Sequence, residues 1–163
     1  MITGIFGLLS VIMVSWFFGL LVTAYLKKQA YYTAISNLCF LNNQRMYTII
    51  GIPVFKWLVT KTVYRHLNKN IKFRTRPDRN ELVTVRSAIT ESEVLHAVAF
   101  VFVILAGVPV LLIQGDYKMV FYLMALNVVF NLYPTLLQQY NKAKLDKVID
   151  KLNLLYSTTT DRL

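Results

Sequence analysis

The sequence is poor in the residues that most enzymes use for chemistry. Its 163 residues hold one cysteine, Cys39, so no disulfide can close within the chain and no Cys-x-x-Cys redox or zinc motif exists. Two histidines, His66 and His96, are too few for a His-rich metal site in one chain. There is no Gly-x-Ser-x-Gly elbow and no Gly-rich phosphate loop. Glu-x-x-His occurs once, at Glu93 and His96, which is half of what a carboxylate di-metal centre needs. Internal repeats and low-complexity segments are absent too. Acidic residues are scarce, 8 against 18 Lys and Arg, which leaves a net charge of +10. Residues 1–26 carry no charge at all.

What remains is apolar. Hydrophobic residues make up 56% of the chain and charged ones 16%, with a mean hydropathy of +0.48. That balance excludes an ordinary soluble domain and predicts an all-α integral membrane protein, a single membrane domain over 1–163. Three spans are expected, at about 2–26, 97–113 and 119–138. The first begins without a basic stretch or a small-residue cleavage site, so it reads as a retained span rather than a signal peptide. Segment 46–64 is apolar but broken by Pro53, Lys56 and Lys61. Its charge-free part is too short to cross a bilayer, and an interfacial or re-entrant helix is favoured over a fourth span. A basic loop at 65–95 and a basic tail at 141–163 carry most of the positive charge. The positive-inside rule then puts the N-terminus outside and the loop and tail in the cytoplasm of a bacterial inner membrane. The same rule accounts for the charge without nucleic acid.

Carboxamides interrupt the third span. Asn127, Asn131, Pro134, Gln138 and Asn141 fall within a sector of about 80° on one helix face. A buried amide without a partner costs several kcal/mol or so, so this stripe must face protein, cavity or substrate. Gln114 to Tyr117 reads as a tight turn, which makes spans two and three an antiparallel hairpin. Gly107 and Pro109 are expected to bend span two. Equal counts back from Gln114 and forward from Lys118 set His96 level with residues 134–138. Glu93 and His96, at i and i+3, share a face. Glu93, His96, Asn131, Tyr133, Gln138 and Asn141 are therefore expected to line one cleft at the cytoplasmic boundary. A carboxylate one turn away can orient an imidazole as a general base, and amides can stabilise an oxyanion or hold a sugar. The bland alternative is interhelical glue in a non-catalytic adaptor that binds a partner or itself. A small glutathione-type membrane enzyme would want arginine inside a span, and none is there.

Two blocks carry a resemblance. Glu93-Val94-Leu95-His96 opens a span, and after the hairpin comes the run from Asn131-Leu132-Tyr133-Pro134 through Gln138-Gln139-Tyr140-Asn141-Lys142-Ala143-Lys144. Over roughly 45–148 the chain resembles the glycosyl-4,4'-diaponeurosporenoate acyltransferase family of small bacterial integral membrane enzymes. That family's pattern runs Glu-x-x-His, Asn-x-x-Pro or Asn-x-Tyr-Pro, then Gln-Arg-x-Asn-Arg-x-Arg. Gln139, Lys142 and Lys144 stand here where the pattern has arginine, which keeps two charges but loses the bidentate fork.

The resemblance implies esterification of a sugar hydroxyl by a fatty acyl chain, in staphyloxanthin-type carotenoid synthesis. The expectation is thus a membrane acyltransferase that takes its acyl group from a cytoplasmic thioester, acyl-CoA or acyl carrier protein. The acceptor would be a hydroxyl or amine of a lipid or glycolipid. His96 would be the base and Glu93 its orienter. Asn131, Tyr133, Gln138 and Asn141 would hold the acceptor or oxyanion, and Lys142 and Lys144 the donor's phosphates. No metal and no bound cofactor are called for. Neither histidine has an aspartate after four intervening residues, the spacing of soluble-faced glycerolipid acyltransferases.

Overall fold

The computed structural model describes residues 2–37, 39–41, 43–61 and 78–160. They are helical: α1 (Ile2–Leu26), α2 (Tyr32–Ser36), α3 (Gln44–Ile49), α4 (Ile52–Lys61), α5 (Arg79–Pro109), α6 (Tyr117–Asn127) and α7 (Tyr133–Thr160). A π-helical segment, Val110–Gln114, continues α5, and another, Val128–Leu132, joins α6 to α7. Three stretches are long and apolar enough to cross a membrane: Gly4–Leu26, Arg79–Gln114 and Tyr117–Leu154. The three expected spans fall within them. The basic stretch expected as a loop to residue 95 is already helix from Arg79, because Asp78 accepts a hydrogen bond from the Arg79 N–H and starts the helix after Pro77. The remainder of that loop, 65–77, lies outside the described residues, as does the end of segment 46–64.

The chain divides into two compact units. The first comprises Met1–Phe40 and Glu91–Leu136, the second Leu41–Thr90 and Leu137–Leu163.

In the first unit, α1 buries Leu8, Ile12, Ser15, Gly19 and Thr23, a stripe at spacings of three or four. Phe6, Met13, Phe17 and Leu21 on its other side are exposed. So much open apolar surface suits lipid and not water. Small residues bring α1 close to α5. A Cβ on Gly19 would sit 2.6 Å from the Leu95 carbonyl oxygen, so this contact admits only glycine. The hairpin of α5 and α6 turns on Gly115, whose φ of 63° ends the π segment, and on Asp116, which accepts from the Met119 N–H at 2.9 Å. Leu8, Ile12, Val103 and Leu123 form the core, with Trp16, Phe102 and Phe130 packed against it.

In the second unit, Asn43 caps α3, and Gly51 with φ of 79° separates α3 from α4. Among the described residues the two helices are 6 and 10 residues long, and the second runs to the last described residue of the segment, Lys61. Tyr47, Ile52, Leu82 and Leu137 are buried here. Polar ties join the start of α5 to α7: the Arg86 guanidinium to Asp146 at 2.5 and 3.3 Å, and Arg79 to Asn153 at 2.9 Å.

Candidate active site

Three helices of the first unit bring polar groups together in an apolar core. Trp16 on α1 donates its indole N–H to Asn131 Oδ1 at 2.8 Å. Asn131 Nδ2 donates to Asn127 Oδ1 at 2.8 Å, and Asn127 Nδ2 donates to the Phe100 carbonyl of α5 at 3.0 Å. Both asparagines are fully buried. The relay is directional: an indole can only donate, so Asn131 must present its oxygen to Trp16, and its nitrogen then turns to Asn127. Every member is satisfied, which is what makes two buried amides tolerable in such a core.

His96 joins this relay. Its Nδ1 lies 3.5 Å from Asn131 Oδ1, and its ring meets Trp16 edge-on at a centroid distance of 6.1 Å. Since Asn131 Oδ1 can only accept, the contact requires the proton on Nδ1. In the neutral ring Nε2 then keeps the lone pair. The backbone of Phe130 also lies beside the imidazole.

Pro134 explains why that backbone is open to it. Proline has no N–H to offer the carbonyl one turn back, at Phe130, and the helix widens into the π segment just there. Tyr133 bonds to the Val128 carbonyl, five residues back, and the Thr135 hydroxyl takes the Asn131 carbonyl at 2.9 Å.

The hairpin register differs by about one turn from equal counting. His96 meets Asn131 and Phe100 meets Asn127, rather than His96 meeting 134–138. The π segment Val110–Gln114 contributes to this, because i to i+5 bonding advances less per residue. Pro109 is followed directly by that π turn.

Glu93 is buried, but its surroundings are different. It lines an apolar cavity of about 440 Å³ with Phe18, Ile35, Phe40, Val94, Val101 and Leu105. Residues of α1, α2 and α5, with Phe40, make this cavity. Tyr133 is half-buried at the first position of α7.

Gln138, Asn141, Lys142 and Lys144 belong to the second unit. Lys56 donates to Asn141 Oδ1 at 2.9 Å, and Lys144 Nζ stands 4.2 Å from the centre of the Tyr140 ring. Buried Tyr47 donates to Gln139 Oε1 at 3.3 Å and stacks near Tyr140. Lys142 is buried, Gln138 half-buried and Lys144 exposed.

Sequence reasoning missed Trp16, Tyr47, Lys56 and Gln139. Trp16 had a signal, since an indole deep in a charge-free span needs a partner for its N–H. Among the described residues, no three His, Cys, Asp or Glu side chains gather as a metal site would require.

Three apolar helices with a carboxamide relay and an imidazole in their core define a multipass helical membrane protein with a polar centre. The chain belongs to the glycosyl-4,4'-diaponeurosporenoate acyltransferase family, whose family model matches residues 25–151, and it is an acyltransferase by that membership. The adaptor reading falls with it. Neither a curated protein nor a solved structure gives a match.

Proposed function

We propose that the chain moves a fatty acyl group from a cytoplasmic thioester, acyl-CoA or acyl carrier protein, to a hydroxyl of a membrane glycolipid, with His96 as the base. A glycosyl carotenoid acid is the acceptor that the family's description names; an amine of another lipid is the alternative. The observation that supports the reading is the Asn131 contact: with the Nδ1 proton turned to that oxygen, Nε2 is the basic nitrogen.

Nε2 takes the acceptor's proton as its oxygen attacks the thioester carbonyl. Collapse of the tetrahedral intermediate breaks the C–S bond, and the imidazolium returns the proton to the departing thiolate. An ester and a free thiol result. Asn131, committed to Trp16 and Asn127, acts as a positioning residue and not as an oxyanion donor. Tyr133 is the remaining candidate donor in this unit. The apolar cavity beside Glu93 suits a long hydrocarbon chain, with the carboxylate at hand for a hydroxyl. Lys144, Lys56 and Asn141, with Gln138 and the buried Lys142, suit the phosphates of the donor, on the cytoplasmic side.

Lipid extracts from cells making equal amounts of wild type and His96→Ala test this. A species heavier by one fatty acyl unit is expected in the wild type alone. Its formation by His96→Ala would remove the base assignment.

A further inference from the structure

A second cavity of the first unit lies where α1 ends, about 520 Å³ in volume. Leu20, Thr23, Ala24, Lys27 and Lys28 line it from α1 and the residues just after, and Glu91, Ser92 and Leu95 from α5. Neither the apolar cavity nor the His96 relay shares a residue with it. Its charges do not cancel. Lys27 donates to Glu91 at 2.6 Å, while Lys28 pairs with no carboxylate among the described residues. One positive charge is left over. Thr23, which lines it, is 5% exposed, and its hydroxyl oxygen is buried with no hydrogen-bond partner among the described residues. An orphaned hydroxyl in a wall of a cavity with a spare ammonium is a donor pair waiting for an acceptor. The Tyr32 hydroxyl, at the first position of α2, is likewise buried without a partner among the described residues.

We propose that this cavity binds the phosphate-bearing head of an anionic amphiphile. Lys28 and the Thr23 and Ser92 hydroxyls hold the phosphoryl oxygens, and the first carbons of the chain run along Leu20, Ala24 and Leu95. Lys27, locked to Glu91, shapes the rim. A phosphate-bearing anion with a hydrocarbon tail matches the charge, the donors and the apolar wall together; a free sugar lacks the charge and the tail, and a cation meets the spare ammonium with like charge. Two sources carry this chemistry, a phospholipid of the bilayer and a long-chain acyl-CoA. The proposal goes beyond the catalytic reading and does not depend on His96.

Isothermal titration of the full chain in neutral detergent tests it. The probes are dioctanoyl phosphatidylglycerol, decanoyl coenzyme A and, as the phosphate-free control, dioctanoyl glycerol. Saturable binding of at least one phosphate-bearing probe is expected, with none of the control. Thr23→Val, nearly isosteric, should weaken it about five- to tenfold and Lys28→Gln about tenfold or more. His96→Ala should leave it unchanged whatever becomes of turnover. The probe that binds identifies the source. Absence of saturable binding by both, or binding indifferent to Thr23→Val and Lys28→Gln in variants of unchanged helicity, would overturn the proposal.

Discussion

At the scale of single residues, the account rests on Asn131. Its oxygen serves Trp16 and His96 at once, and its nitrogen serves Asn127. Asn131→Leu strands an indole N–H and a buried carboxamide, which should lower stability by about 1–3 kcal/mol in detergent unfolding. Turnover should fall further than stability does, by about 10²–10⁴, because the imidazole loses the contact that sets its tautomer. If the variant unfolds earlier yet turns over normally, Asn131 is only glue. The sequence exposed this residue because an amide on a lipid-facing span is out of place. It could not expose a partner from another helix: Glu93, three residues from His96, is the orienter that spacing offers, whereas Trp16 reaches the ring from α1. Helical spacing shows which residues share a face. It says nothing about which other helix packs there.

At the scale of elements, the deviations from regular helix matter most. Spans, turn and hairpin were legible because long apolar runs and a Gly-Asp turn have few alternatives. The π segments were not, nor was the register, which differs by about a turn from equal counting. Pro134→Ala restores an N–H to the turn below, where it would compete for the Phe130 carbonyl. A drop in turnover of about tenfold or more with unchanged or improved thermal stability is expected. Gly19 makes the second test. Gly19→Ala pushes a methyl group against the Leu95 carbonyl, next to His96, and should cost about 1–3 kcal/mol by the same unfolding assay. A silent Gly19→Ala would mean that α1 and α5 lie further apart than described.

At the scale of the whole molecule, charge asymmetry sets orientation. We propose that the N-terminus is outside, which would put everything just after α1 in the cytoplasm. Cys39, the sole cysteine and exposed, is a built-in reporter there. A membrane-impermeant maleimide should label it in inside-out vesicles and leave it alone in intact right-side-out cells; the reverse pattern would invert the topology. The pair Lys27–Glu91, open to solvent, should matter little, with Glu91→Gln leaving the unfolding transition essentially unmoved. Membership of an acyltransferase family covering 25–151 was legible from two short blocks, Glu93 to His96 and Asn131 to Lys144. The division into two units was not, since no linker composition marks Phe40/Leu41 or Leu136/Leu137; both long helices cross it unbroken.

The measurement that bears most directly on the central claim is single-turnover acyl transfer by purified protein, with acyl thioester and a glycolipid acceptor, comparing wild type with His96→Ala. A loss of about 10²–10⁴ in rate, with helicity intact, is predicted for a general base. A rate within a few-fold of wild type would contradict it and move the chemistry away from the His96 relay.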